Sequence, residues 1–355
     1  YGGTLEIATV YATISALSWD NYDYNWKHNH DTGQVYEQLF MADVSRSKSR
    51  GGNANLTPDA YIPSDLLRGE LAEKWEFKEN PLQVVITLRK GVKFPDKPGV
   101  MAARELTSED IRYTFNRQNT SPKKVDSMYD YVSSVETPDR YTVVFNLKEY
   151  NAEWAYRFGY GYYSAIVPKE VVEAGATNWK NVNGTGPFKL TDYVQGNSNT
   201  YEKNPNYWGS ETINEKEFKL PYIDKMVYRI IKDEATRITA LRTGKLDVME
   251  LVRWQDVETL KKSAPDLKWN RWLGTSGTFL AMRVDTKPFD DIRVRRALNF
   301  AINKEEIIKS YYNGHAELFA YPQHPAYGAY FRPLEQQPAS VQELFKYDPV
   351  QAKKL

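Results

Sequence analysis

Apolar and polar positions alternate with a period of two in several short runs and recur near 3.6 in others, so strands and helices are interleaved along the chain. Tyr1 to Tyr11 reads as a strand with Leu5, Ile7, Thr9 and Tyr11 on one face. Gln34 to Met41 reads as a short helix with Val35, Leu39 and Phe40 inward. Leu82 to Leu88 is a strand in which Val84, Ile86 and Leu88 alternate with Gln83, Val85 and Thr87. Thr107-x-x-Asp110 is a capping box for a helix carrying Ile111 and Phe115 on one face. Tyr141 to Leu147, Phe188 to Val194, Thr200 to Lys203 and Met226 to Ile231 follow as strands. Asp233 caps a helix through Arg242, with Gly244 at the position that favours a left-handed cap. Asp247 and Val248 enter a strand, and Val257 and Leu260 mark a short helix that Pro265 ends.

The later part follows the same rules. Thr278 to Val284 reads as a strand, and Ile292 to Ile302 as an amphipathic helix on Val294, Ala297, Leu298, Ala301 and Ile302. Asn303-x-x-Glu306 caps the next helix, and Asp348-Pro349 opens a last one with only Val350 to Leu355 remaining. A helix that short is marginal alone, so the expectation is a truncated chain that stops inside an element. The fold class expected from this mixture is α/β or α+β.

Composition narrows the function. The 355 residues suggest two or three domains and can bury a core without metal or disulfide. There is no cysteine, which excludes disulfide scaffolds, thiolate metal sites and cysteine nucleophiles. A formal net charge of +1 argues against a nucleic-acid binder, which needs a basic excess. No run approaches the ~18–20 apolar residues of a membrane-spanning helix. The first residues have neither an initiator Met nor the basic and apolar regions of a signal peptide, as in a mature exported product. With 26 Tyr, 14 Phe and 9 Trp, either large aromatic cores or a stacking-rich binding surface is implied.

No catalytic constellation emerges. His28-x-His30-Asp31 has the donor types of a metal site but reads as a surface loop, and no metal is expected. A P-loop is absent, and Gly184-x-Gly186 precedes a strand rather than a helix, unlike a dinucleotide fingerprint. Gly274-Thr275-Ser276-Gly277 has its glycine misplaced for a nucleophile elbow. The carboxylate pairs Glu109-Asp110 and Asp290-Asp291 sit at helix starts, where capping explains them. Arg293, Arg295 and Arg296 spread around one helix as a solvated face would. Asn183-Gly184-Thr185 matches a glycosylation acceptor.

A set of segments taken in order is more telling. These are Leu71-Ala72-Glu73-Lys74-Trp75, Leu88-Arg89-Lys90-Gly91-Val92-Lys93-Phe94, and Leu106-Thr107-Ser108-Glu109-Asp110-Ile111. They continue with Asn183-Gly184-Thr185-Gly186-Pro187-Phe188, Lys203-Asn204-Pro205-Asn206-Tyr207-Trp208, Gly244-Lys245-Leu246-Asp247 and Pro288-Phe289-Asp290-Asp291-Ile292-Arg293-Val294-Arg295-Arg296-Ala297-Leu298. The series resembles the extracytoplasmic solute-binding proteins of family 5, the oligopeptide, dipeptide and nickel class of ABC importers. The resemblance implies an α/β, two-lobed periplasmic-binding-protein-like fold of the class II type with an extra β-rich domain. Lobe I would be 1–42 plus 164–275, the extra α+β domain 43–163, and 276–355 the start of an incomplete lobe II. It implies a monomeric, non-enzymatic receptor outside the cytoplasm with no cofactor. Its partners would be a small ligand and the importer's permease with its ATPase subunits.

In such a receptor the ligand would be gripped by lobes that close on it, because it touches both only in the closed state. The expected ligand is a short peptide or similar amphipathic oligomer. An oligosaccharide is the alternative within the class, with nickel chelates and opines also compatible. A secreted glycoside hydrolase or an extracellular chaperone would be alternatives of other classes. A cleft of this kind is apolar and aromatic with few directed polar groups. The residues singled out for it are Trp19, Asp20 and Tyr22 after the first strand, Tyr160, Tyr162 and Tyr163 at the lobe junction, Trp254, and Phe279 at the crossover. Core packing is the competing reading for each aromatic.

Overall fold

The computed structural model describes residues 1–9, 17–23, 27–54, 56, 62–124, 127–274, 277–318, 325 and 331–355. They form two compact units, Tyr1–Ala42 with Leu67–Val252, and Asp43–Leu66 with Arg253–Leu355. The first unit contains, in chain order, β1 (Thr4–Thr9), β2 (Phe40–Ala42), β3 (Leu67–Gly69), β4 (Ala72–Glu79), β5 (Leu82–Leu88), β6 (Lys93–Phe94), β7 (Arg104–Glu105), α1 (Ser108–Asn119), β8 (Val132–Asp139) and β9 (Thr142–Leu147). It continues with α2 (Lys169–Gly175), β10 (Phe188–Val194), β11 (Ser198–Lys203), β12 (Ser210–Ile213), β13 (Lys216–Lys219), β14 (Lys225–Ile230), α3 (Glu234–Arg242) and β15 (Val248–Met249).

Two sheets dominate this unit. One has the order β10-β11-β14-β1-β15, with β1 parallel to both β14 and β15 and the β10, β11 and β14 pairs antiparallel. The other is an antiparallel sheet of order β4-β5-β9-β8. Its inward positions include the alternating residues read from the sequence, Val84, Ile86 and Leu88, joined by Val143 and Phe145, and all five are wholly out of solvent. Helix α1 lays Ile111 and Phe115 on this face, and Phe145 stacks on Phe158 with centroids 4.1 Å apart and planes at 5°. Full burial of one such side chain stabilises by about 1.5–3 kcal/mol, so this layer holds the sheet and helix together. The start of α1 is fixed as expected: the Thr107 amide donates to Asp110 Oδ2 at 2.9 Å. Asp233 likewise accepts from the Thr236 amide at 2.8 Å, and Gly244 has φ +68° after α3.

The segment Gln34 to Met41 is not a helix. Its apolar spacing reflects a chain buried on several sides, with Val35, Tyr36, Leu39 and Phe40 all in the core. Its carbonyls accept from other segments instead of from its own next turn: Gln34 O from Phe188 N, Val35 O from Gly186 N, Glu37 O from Ile166 N, Gln38 O from Leu71 N and Leu39 O from Glu70 N. This explains the glycines of Gly184-Thr185-Gly186. A Cβ on Gly184 would lie 2.2 Å from Val35 O, and one on Gly186 would lie 2.7 Å from it. The glycosylation reading of Asn183 also fails, because the side chain is buried and its Nδ2 donates to Pro95 O at 2.8 Å. Of the first predicted strand, Val10 and Tyr11 lie outside the described residues.

The second unit contains α4 (Trp254–Ser263), α5 (Ile292–Ala301), α6 (Lys304–Ser310), α7 (Ala339–Glu343) and α8 (Pro349–Lys354). Caps read from the sequence are present: Asp291 accepts from the Arg293 amide, Asn303 from that of Glu306 and Asp348 from that of Gln351. Helix α5 is tied to the last segment by Asn299 Nδ2 donating to Leu344 O and the Asp348 amide donating to Phe300 O. Phe300 is its one deeply buried residue; Val294, Ala297 and Leu298 are half-buried, and Ala301 and Ile302 are exposed. Thr278 to Val284 forms no strand, since it gains no ladder partner among the described residues and its Leu280 and Val284 face solvent. None of the described helices is long and apolar enough to cross a membrane.

Candidate ligand-binding surface

The loop after β1 turns sharply because its short polar side chains cap their own backbone. Asp20 Oδ1 accepts from the Tyr22 amide at 3.1 Å, and Ser18 Oγ donates to Asp23. Helix α1 then seizes the loop. Arg117 Nη1 donates to Asp20 Oδ1 at 3.1 Å and Nη2 to Oδ2. The same guanidinium lies 4.4 Å above the Tyr22 ring, a cation–π contact. The Tyr22 hydroxyl donates to Thr114 O at 3.4 Å, and burial raises its pKa above the ordinary value of 10.0. Trp19 is 2% exposed, packs edge-on against Tyr193 at 4.9 Å and carries Lys27 Nζ 4.8 Å from its ring.

The crossover that carries three tyrosines is held by the same helix. Thr114 accepts from the Val167 amide at 3.3 Å, and Gln118 Nε2 donates to Tyr163 O. Gln118 Oε1 in turn accepts from the Tyr129 hydroxyl at 2.6 Å. Tyr160 and Tyr162 set their rings edge-on to Tyr156, at 5.4 and 6.2 Å. Gly161 between them is required by close approach, since a Cβ there would meet Tyr156 O at 2.5 Å. Tyr160, Tyr162 and Tyr163 remain partly exposed. Tyr22 and Tyr163 line one small recess, barely the size of a single water, that Gln118, Lys123, Met128 and Tyr129 also line.

Asp20, Tyr22 and Tyr163 thus converge on the C-terminal end of α1, with Trp19 inside the fold beside them and Tyr160 and Tyr162 grouped around Tyr156. Trp254 and Phe279 belong to the second unit. Trp254 stacks on His315 with centroids 5.4 Å apart and planes at 23°, and Phe279 is 66% exposed. Arg117 and Gln118 were not singled out from the sequence. A signal was present: Asp110, Thr114 and Gln118 recur at i, i+4 and i+8 beside the apolar pair Ile111 and Phe115, and all of them are buried. Polar residues repeated along an inward stripe must find partners there.

Within His28-x-His30-Asp31, Asp31 is engaged elsewhere. Asp31 pairs with the fully buried Lys27 at 3.2 Å and accepts from Asn199 Nδ2 at 3.1 Å. Burial lowers the His28 pKa from 6.5 to about 4. Among the described residues no cluster of His, Asp and Glu is arranged to hold a metal ion.

Comparison with known proteins places this architecture. Residues 67–355 match the family described as bacterial extracellular solute-binding proteins, family 5 middle. The chain belongs to that family. It is 30% identical over 296 residues to the dipeptide-binding protein of Escherichia coli (strain K12), covering 78% of this chain and 53% of that protein. It is 28% identical over 303 residues to heme-binding protein A of Haemophilus influenzae, covering 80% of this chain and 52% of that one. Among solved structures, it aligns with the ABC transporter-associated periplasmic binding protein DppA from Helicobacter pylori in complex with the peptide STSA. That alignment has 25% identity and a TM-score of 0.76, over 100% of this chain and 65% of the other. The chain therefore spans about half the length of the curated relatives it matches. The family and the α/β periplasmic-binding-protein fold anticipated from the ordered segments are both shown. The relatives are binding proteins rather than enzymes.

Proposed function

We propose that this family 5 chain is the capturing part of an extracytoplasmic receptor. It binds a short peptide or similar amphipathic oligomer by hinged closure and delivers it to the permease of an ABC importer. The observation that carries the reading is the 30% identity to a dipeptide-binding protein over 78% of this chain. The chemistry of the surface supports it. Tyrosine rings offer flat apolar faces, and their hydroxyls can meet the amides of a peptide backbone. In this reading Tyr160, Tyr162 and Tyr163 supply contact faces, with Trp254 and Phe279 supplying others. Trp19, Asp20 and Tyr22 shape the floor beside them. The lobes assigned are 1–42 with 164–275, an extra domain at 43–163 and a second lobe from 276. Binding proceeds without turnover and without a cofactor.

The test is a thermal-shift screen of the intact protein against di-, tri- and tetrapeptides, with oligosaccharides as the competing class. A ligand that binds only the folded state raises the melting temperature in proportion to the logarithm of its concentration. Shifts with peptides support the proposal. Shifts with oligosaccharides alone would transfer the assignment to the sugar-binding alternative, and hydrolysis of any of them would remove the receptor reading.

A further inference from the structure

In the tyrosine crossover, Tyr160 stands between Gly159 and Gly161, and close packing imposes both glycines. A Cβ on Gly159 would lie 2.2 Å from Phe40 Cδ2, and one on Gly161 would lie 2.5 Å from Tyr156 O. Glycine gives up more backbone freedom on folding than any other residue, so a Gly-Tyr-Gly run left to itself would not hold its ring in one place. A ligand using that ring would have to order the run as it bound, and would bind more weakly for it. The restraint has to come from outside the run.

It comes at alternate carbonyls. Gly159 O accepts from the Leu39 amide at 3.0 Å. Gly161 O accepts from Gln38 Nε2 at 2.6 Å, and the same nitrogen donates to Ser164 Oγ at 2.8 Å. Tyr163 O accepts from Gln118 Nε2. Gln118 Oε1 accepts from the Tyr129 hydroxyl at 2.6 Å, and that hydroxyl lies 3.2 Å from Arg157 O, where the crossover begins. Two of these restraints are therefore side-chain amides, one from the segment before β2 and one from the last turn of α1, and both glutamines are buried. Each stands on a fixed base. The Gln38 amide donates to Glu70 Oε2 at 2.8 Å and its carbonyl accepts from Leu71 N at 3.0 Å, while Gln118 is part of a helix. The chemistry suits the place. A carbonyl oxygen only accepts, so the nitrogen of each amide has to face it, and the rest of the group is free to take a second partner. Lysine or arginine could donate there only by bringing a charge out of water.

We propose that Gln38 and Gln118 are positioning residues of the ligand surface, clamping the 157–164 crossover from two sides so that Tyr160, Tyr162 and Tyr163 are in place before a ligand arrives. The consequence for affinity rests on the receptor reading above. The clamp takes the ordering of Gly159-Tyr160-Gly161 into the folding of the protein, so a ligand meets rings already grouped around Tyr156. Removing either amide leaves a buried carbonyl without its donor and frees the run it held.

The experiment measures backbone order by heteronuclear amide relaxation on the ligand-free wild type, Gln38→Met and Gln118→Met. Methionine keeps the length of the side chain and removes its polar end. In the wild type, the amides of residues 160–164 are expected at an order parameter of about 0.85, like those of Val84 and Ile86 in β5. In each variant Tyr160 and Gly161 are expected to fall below about 0.6 while Val84 and Ile86 stay unchanged, which a mere loss of global stability would not produce. A wild-type crossover already that mobile, or variants that keep wild-type order there, would overturn the proposal. Should a methionine variant not fold, Gln38→Asn and Gln118→Asn, one methylene too short to reach the same partners, carry the same prediction. In a second arm alanyl-phenylalanine is titrated into all three proteins. Each variant is expected to bind about tenfold more weakly, with order at Tyr160 and Gly161 restored in the complex. Unchanged affinity in a variant whose crossover has loosened would overturn the link to binding. Failure of the wild type to bind any peptide would count against the receptor reading, and the relaxation result, which needs no ligand, would still decide the clamp.

Discussion

Arg117 donates to both carboxylate oxygens of Asp20 across 97 residues of chain, with Nη1 3.1 Å from Oδ1. The pair is mostly shielded, with side-chain exposures of 21% and 10%. Removing one partner leaves the other charge in a poor environment, which is costlier than losing a surface pair. Arg117→Ala is therefore expected to lower stability by about 2–3 kcal/mol in urea unfolding. Arg117→Lys should recover less than half of that, because an ammonium cannot reproduce the paired geometry or the stack on Tyr22. Full recovery by lysine would show that charge alone matters.

The stack of Phe145 on Phe158 joins the antiparallel sheet to the segment that leads into the crossover. Both rings are buried, so truncation leaves a cavity between two elements. Phe145→Ala should cost about 3–5 kcal/mol, while Phe145→Leu should cost much less. Denaturant midpoints with unchanged slopes would check this.

Gly184 has no room for a methyl group, because Val35 O would lie 2.2 Å away and backbone cannot rotate aside. Gly184→Ala is expected to destabilise by at least the ~1–3 kcal/mol typical of overpacking. Gly196, which has open space but φ +70°, serves as the contrast. Its alanine variant should lose only the smaller strain of a left-handed residue, ~1–2 kcal/mol. Comparable melting temperatures for the two variants would contradict the close-approach argument.

Asp110 does two jobs, closing the capping box on the Thr107 amide and receiving Arg104 Nη1 at 3.0 Å and Nη2 at 2.7 Å. Thr107→Ala removes only a capping side chain and should cost ~1 kcal/mol. Asp110→Ala should cost clearly more, since among the described residues it also leaves Arg104 with Glu170 alone as an acidic partner. Thermal unfolding of the two variants side by side separates these contributions.

Those pairings also show what a sequence can disclose. Strands Leu82–Leu88 and Phe188–Val194 were legible because alternation directly encodes which side is buried. Caps were legible because Thr107, Asp233, Asn303 and Asp348 act within three or four residues. Gln34 to Met41 was misread because burial from several directions mimics a helical stripe, and the carbonyl acceptors that decide its backbone are satisfied from residues 70 to 188. Thr278 to Val284 was misread because alternation is worthless without a neighbouring strand. The surface was half legible. Its tyrosines stand out by type, whereas Arg117 and Gln118 gain meaning only when α1 is laid against the loop and the crossover.

The central claim is that the protein captures a peptide and returns it unaltered. Calorimetric titration of the intact protein with alanyl-phenylalanine and a matching tetrapeptide, followed by mass analysis of the recovered peptide, tests it directly. The account predicts saturable one-to-one binding to at least one of them and recovery at the original mass after prolonged incubation. Absence of binding heat with both, or recovery of cleaved fragments, would contradict it.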